Sequence, residues 1–302
     1  MAALAGDHAR WEQRGPATKY GSTVRLELRG LTLRYDKTIA LDGLTAVLEG
    51  QILAVLGSNG SGKTSLLRVL AGVEALSDGQ ASLDGMAVLP GRLPGISYLP
   101  QETGFFPFLQ QPGETLSLSL QFRGIDDPEA PRRLLAAMGL EKDDRSAGGY
   151  SGGMKQKLRI AQALVHAPRL LLLDEPTTGL DGRERLRVLR LLERLRDRTA
   201  VIFSTHTPQD AAASADQLLI LHRGRVVAAG TPGAIIAMAG GRVWTLTATA
   251  ATIPTLPGCD VVHAERDGAR FHLRLVGEPP PGAVPAAPRL EDAYALLTWT
   301  DK

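Results

Sequence analysis

The stretch GSNGSGKT, residues 57–64, constrains this chain more than any other. Gly57, Gly60 and Gly62 open backbone conformations that other residues avoid, so successive N–H groups turn inward and cup an anion. Lys63 adds a positive charge for β- and γ-phosphates, and the Thr64 hydroxyl is placed to ligate Mg²⁺. The flanks agree with a phosphate loop. Residues 51–56 (QILAVL) are apolar enough for a buried strand. Residues 64–72 (TSLLRVLAG) carry Leu66, Leu67, Leu70 and Ala71 at helical spacing, with Gly72 as a stop signal. A bound phosphate then sits at a helix N-terminus, where the backbone dipoles favour it.

Composition narrows the class. The 302 residues allow one large domain or two smaller ones, and 44% hydrophobic with 22% charged residues is ordinary for a globular protein. The net charge of +2 supplies no global basic field, so nucleic acid is not expected as a partner. The single cysteine, Cys259, excludes a disulfide within the chain and fits a reducing compartment. No apolar run approaches the ~18 residues of a membrane span, and residues 1–22 lack the apolar core of a signal peptide. The expectation is a soluble, cytoplasmic protein that reaches a membrane only through a partner.

Residues 1–21 lack periodicity and read as a poorly ordered tail. Val24, Leu26 and Leu28 alternate with polar residues, and Leu31, Leu33 and Tyr35 alternate again after Arg29-Gly30, which predicts a hairpin or two adjacent strands. Asp84-Gly85 marks another hairpin. Residues 103–165 read as helical, an insertion into an α/β core. Residues 170–173 and 200–203 are apolar runs, hence buried parallel strands, and they end in Asp174-Glu175 and Ser204-Thr205-His206. A charged helix at 183–198 lies between them and reads as a solvated face with Glu–Arg neighbours. In open α/β sheets ligands bind at the strands' carboxyl ends, so the phosphate loop, the Asp-Glu pair and the histidine can face one site. From residue 240 the texture changes. VWTLTATA and ARFHLRLV read as strands with Asp267-Gly268 as a turn, and a proline-rich link precedes the helical ending RLEDAYALLTW.

Asp174 at a strand end can hold Mg²⁺ directly or through water, and Glu175 beside it can polarise a water for attack on a γ-phosphate. YSGGMKQKLRIAQAL, residues 150–164, is a second glycine-rich helix start. Ser151 serves as its N-cap, Gly152 and Gly153 leave N–H groups open to an anion, and Leu158, Ala161, Leu164 and Val165 form its buried face.

The order of these motifs resembles the ATP-binding-cassette (ABC) ATPases over residues 24–236: phosphate loop, Gln101 in YLPQE, Ser-Gly-Gly, LLLLDEP, Gly179-Leu180-Asp181, then His206. The resemblance implies an α/β P-loop NTPase core at 22–236, with an antiparallel β subdomain, a helical subdomain at about 103–165 and a small C-terminal α+β appendage at 240–302. It implies ATP and Mg²⁺ as cofactors. Gly57, Ser58, Asn59, Gly60, Ser61, Gly62, Lys63, Thr64 and Ser65 would hold the nucleotide, with Tyr35 stacked on adenine. Two such domains pair head to tail in that family, so Ser151, Gly152 and Gly153 would bind the phosphate of a second copy or a paralogous cassette. Asp181 would belong to the loop crossing that interface. Glu175 would be the general base, His206 the γ-phosphate contact and Gln101 the lid-loop sensor of Mg²⁺ and water, with Thr64, Gln101 and Asp174 around the metal.

Two departures stand out. Tyr150 and Met154 replace the leucine and glutamine most common at the edges of the signature, while its Ser-Gly-Gly is intact. The segment after Gln101 and the ending RLEDAYALLTW resemble ATPase subunits of bacterial drug-, antibiotic- or sodium-efflux exporters. That implies a separate membrane permease and a place on the cytoplasmic face of the plasma membrane. Phe105, Phe106, Phe108 and Leu109 are candidates for the face that receives the permease. The alternatives are a non-transport cassette on ribosomes, DNA or assembling clusters, a small-molecule kinase, and a nucleotide-gated module without turnover.

Overall fold

The computed structural model describes residues 23–91, 95–101, 111–122, 124–141, 146–249 and 258–299. The expected tail at 1–21 and the apolar group Phe105, Phe106, Phe108 and Leu109 lie outside them.

The central sheet has six strands: β3 (Ile52–Leu56), β6 (Ile96–Leu99), β7 (Leu170–Leu173), β8 (Ala200–Thr205), β9 (Gln217–His222) and β10 (Arg225–Gly230), in the order β10-β9-β3-β8-β7-β6. All neighbours are parallel except the edge pair β9–β10. Every residue of β3, β7 and β8 is buried. These apolar runs form strands because both faces of the sheet are covered. The period of two sends Ile52, Ala54 and Leu56 into one hydrophobic cluster and Leu53 and Val55 into the other.

One cover is an antiparallel sheet of β1 (Val24–Tyr35), β2 (Thr38–Gly50), β4 (Asp78–Leu83) and β5 (Met86–Ala87), together with helix α1 (Lys63–Leu70). Leu66, Leu67, Val69 and Leu70 of α1 are buried there beside Leu26, Leu28 and Leu41. Arg29-Gly30 is not a hairpin turn. The chain continues through it as one strand, with a register shift between Leu28 and Leu31 and Gly30 at φ +61°. A glycine in a left-handed conformation makes a β-bulge, which lets the alternation restart without reversing the strand. The turn lies at Asp36-Lys37 instead. Asp84-Gly85 does join a hairpin, with both residues at positive φ between Leu83 and its partner Met86.

The opposite cover is helical: α2 (Pro112–Gln121), α3 (Ala130–Met138), α4 (Gly152–Leu164), α5 (Gly182–Leu195) and α6 (Pro208–Ser214), then α7 (Pro232–Ala237). The arginines of α5 do more than face solvent. Arg185 pairs with the buried Asp210, and Arg196, just past the helix, bonds Asp216 at 2.6 Å. The C-terminal sheet comprises β11 (Val243–Thr249), β12 (Cys259–Asp267), β13 (Arg270–Gly277) and β14 (Val284–Pro285), in the order β12-β13-β11-β14, followed by α8 (Leu290–Thr298). Leu290, Ala293 and Leu296 of α8 lie in the same cluster as Ile52 and Leu171 of the central sheet. Among the described residues no helix is long and apolar enough to cross a membrane.

Candidate nucleotide-binding site

The strand ends converge as the parallel order requires. The Gly57 N–H donates to the Thr205 carbonyl (3.2 Å), and the Asp174 N–H donates to that of Leu99 (2.9 Å). The ends of β3, β6, β7 and β8 therefore adjoin, and the chain leaves them at Gly57, Gln101, Asp174 and His206. Gly57 accepts no other residue, because a Cβ there would collide with Ser61 Oγ and the Leu221 carbonyl. Gly62, at φ +102°, is the N-cap from which α1 starts.

Lys63 is buried and doubly held. Its Nζ donates to the Ser58 carbonyl at 3.0 Å and lies 3.2 Å from Glu175 Oε1. The other oxygen, Oε2, accepts from the Thr178 hydroxyl (2.7 Å) and meets His206 Nδ1 at 3.0 Å. Burial pulls the Glu175 carboxyl up, but the Thr178 hydrogen bond and the Lys63 and His206 charges outweigh it and hold the pKa below the ordinary value. Glu175 also has a left-handed backbone, φ +47°, a strained state for a residue with a Cβ. Its N–H donates to Ser204 Oγ (2.8 Å), which in turn donates to Asp174 Oδ1 (2.6 Å). Ser204 thus fixes both carboxylates from the neighbouring strand.

Asp174 is 3% exposed, and its Oδ2 has no well-formed hydrogen bond. The Tyr98 hydroxyl lies beside this carboxylate, and burial first, then the Asp174 charge, push the phenol pKa up. A buried, unsatisfied carboxylate oxygen is costly unless something binds it. Among the described residues no three His, Cys, Asp or Glu side chains cluster as a metal cage. This donor set fits a Mg²⁺ ion held mainly by phosphate oxygens and water, with one carboxylate and a hydroxyl from the protein. It does not fit a metal held by protein alone.

The remaining predicted residues fall elsewhere. Asn59, Gly60 and Thr64 are exposed, Ser65 is half-buried, and Ser61 is buried with an unpartnered hydroxyl. Tyr35 ends β1 and is 39% exposed. Gln101 is exposed, and its carbonyl accepts from Arg159 of α4 (2.9 Å), which also holds the Pro100 carbonyl. Ser151 caps α4 by accepting from the Met154 N–H (3.3 Å). Asp181 caps α5 by accepting from the Arg183 and Glu184 N–H groups, both 2.9 Å. Among the described residues no hydrogen bond links Ser151, Gly152, Gly153 or Asp181 to the phosphate loop.

Several contributors escaped the sequence reading. Ser204 stood at a polar strand end without a role. Thr178, Arg159 and Asp210 had no motif of their own. Asp210, 1% exposed, accepts from Thr177 (2.6 Å) and from Arg185. It ties the loop after Glu175 to the helix after His206.

A phosphate loop feeding a helix, a strand-end carboxylate pair and a neighbouring strand-end histidine on a parallel sheet define a P-loop nucleotide-binding fold. Residues 44–178 match the ABC transporter family, and both the phosphate loop and the Asp174-Glu175 pair lie within that match. It is 39% identical over 184 residues to an uncharacterized ABC transporter ATP-binding protein, YxlF, of Bacillus subtilis, covering 60% of this chain and 61% of that one. It is 34% identical over 205 residues to the spermidine/putrescine import ATP-binding protein PotA of Thermotoga maritima, covering 65% and 54%. The chain thus spans just over half the length of these curated relatives. A solved ATP-binding subunit of an ABC transporter superposes with a TM-score of 0.60 at 29% identity, over 70% of this chain and 92% of that one. A dimeric ATP-binding cassette bound to ADP and Pi, 22% identical, superposes with a TM-score of 0.59 over 68% and 98% and shares the fold.

Proposed function

We propose that this protein binds and hydrolyses ATP and powers a separate membrane permease by ATP-driven pairing with a second cassette. The observation that carries the reading is the Lys63–Glu175–His206 chain beneath the phosphate loop. Without nucleotide Lys63 neutralises Glu175. A γ-phosphate competes for Lys63, and Glu175 is then left with His206 and Thr178, free to accept a proton from water. His206 turns its other nitrogen toward the γ-phosphate, and Tyr35 offers its half-exposed ring to adenine. Thr64, Asp174 and Gln101 would hold Mg²⁺, which when bound neutralises charge on the phosphates.

The signature residues Ser151, Gly152 and Gly153, with Asp181, would complete the site of the second copy, because among the described residues no hydrogen bond ties them to the phosphate loop of their own chain. Charge-assisted contacts to γ-phosphate then close the dimer, and hydrolysis opens it. The place of action is the cytoplasmic face of the membrane. The similar proteins named for a substrate include import proteins, so they lend the exporter reading no support. The exporter reading rests on the ending RLEDAYALLTW and the segment after Gln101. Glu175→Gln should lower ATP turnover at least ~100-fold and trap an ATP-bound dimer visible by gel filtration. Turnover at the wild-type rate would remove Glu175 from the base role.

A further inference from the structure

The left-handed backbone of Glu175 (φ +47°) has to be enforced by its neighbours, because such a conformation persists only where the surroundings over-determine it. One restraint is the bond from its N–H to Ser204 (2.8 Å). The other comes from the far side of the turn. The Thr178 N–H donates to the Glu175 carbonyl (3.2 Å). Between these two residues, the buried Thr177 donates its hydroxyl to Asp210 Oδ2 at 2.6 Å. The other Asp210 oxygen, Oδ1, accepts from Arg185 Nε of α5.

Asp210 stands in the first turn of α6, which follows His206, and its own N–H donates to the Thr207 carbonyl (3.1 Å). Three elements therefore meet at one carboxylate: the turn after Glu175, the helix capped by Asp181, and the helix after His206. A buried charge pair adds little net stability over an apolar contact of the same shape. What it supplies is direction. A fully satisfied network of hydroxyl, carboxylate and guanidinium holds its members in one arrangement.

We propose that the Thr177–Asp210 pair positions the catalytic base: Asp210, held by α6 and Arg185, fixes Thr177, and Thr177 sets the turn that aims the Glu175 carboxylate. The pair acts on hydrolysis through Glu175 and not on nucleotide binding. The inference rests on the ATP-hydrolysis reading above and adds the residues that hold its base in place.

Thr177→Val keeps the shape and removes the donor. In the full chain with Mg²⁺ and ATP, kcat should fall about ten-fold, as for a slightly misaimed group, while KM stays within about two-fold. Thr177→Ser returns the donor and should restore at least about half of the wild-type rate. In a Glu175→Gln background Thr177→Val should leave the residual turnover unchanged, because no base remains to be aimed. Asp210→Asn should lower kcat as well, and by less in the Thr177→Val background than in the wild type. An unchanged kcat in Thr177→Val overturns the proposal, as does a fall that Thr177→Ser does not reverse. A raised KM at constant kcat, or a full further loss on top of Glu175→Gln, overturns it too. Should Thr177→Val fail to fold, Thr177→Ala removes the same donor with less bulk and carries the same readings. A wild-type chain that turns over no ATP removes the underlying reading and this one with it, whereas wild-type turnover with an unaffected Thr177→Val removes this proposal alone.

Discussion

The helix start at Lys63 and the helix start at Gly152 are both glycine-rich, yet their surroundings differ. The first is enclosed. Gly57 and Lys63 are buried, and Lys63 leads through Glu175 to Thr178 and His206. The second is open. Ser151 and Gly152 are exposed, and among the described residues Ser151 accepts only from its own helix. Gly153 is small for a local reason, since a Cβ there would run into the Glu184 side chain. The difference teaches how one sequence divides a site. Where charges must be buried before a ligand arrives, the chain supplies temporary partners. On the proposed reading the ligand of the second start comes with another copy, and its amides can stay in water until then.

Breaking the enclosed start should have the largest effect. Lys63→Ala removes the cation from a buried pair whose side chains are 4% and 6% exposed. Losing one partner of such a pair costs about 3 kcal/mol of stability, readable by urea denaturation without nucleotide. ATP affinity should fall about 100-fold as a charge-assisted contact is lost. Stability equal to wild type would mean Glu175 needs no buried counter-ion.

Ser151→Ala tests the open start. Its cap is worth about 1 kcal/mol, so stability should fall little and ATP affinity of the single chain should hold. Turnover should drop at least ~10-fold. Mixing the Ser151→Ala and Lys63→Ala proteins sharpens the comparison. A mixed dimer has one site with an intact loop and an intact signature, so the mixture should exceed the summed activity of its parts. Strict additivity would show that each chain works alone.

Much of this division was legible in the sequence. Continuous apolar runs ending in polar residues announced β3, β7 and β8 and the convergence of Gly57, Asp174 and His206, because burial on both faces leaves no other pattern. Arg29-Gly30 misled because a bulge and a turn share the same glycine chemistry, and only strand pairing separates them. Ser204, Asp210 and Arg159 were invisible for another reason. Each acts on a residue about 30 to 60 positions away, and no local spacing encodes such a contact.

The smallest effect concerns the strand that delivers the phosphate loop. Asp216 Oδ2 accepts from the N–H groups of Gln51 (2.8 Å) and Ile52 (2.9 Å), while Oδ1 meets Arg196 at 2.6 Å. Burial raises its pKa, but Arg196 and the two backbone donors outweigh that, so the folded-state value lies below the ordinary one. A depressed carboxyl pKa contributes stability that is fully present above the unfolded value of about 4 and is lost as pH falls through the folded value. Asp216→Asn should therefore be about 1.5 kcal/mol less stable than wild type at neutral pH, and the gap should close between neutral pH and a pH below the folded value. Nucleotide affinity should not move, since the loop's own contacts to Ser58 and Glu175 are untouched. A gap that persists unchanged into acid would show that shape, not charge, holds the start of β3, and urea denaturation at the two pH values separates these outcomes.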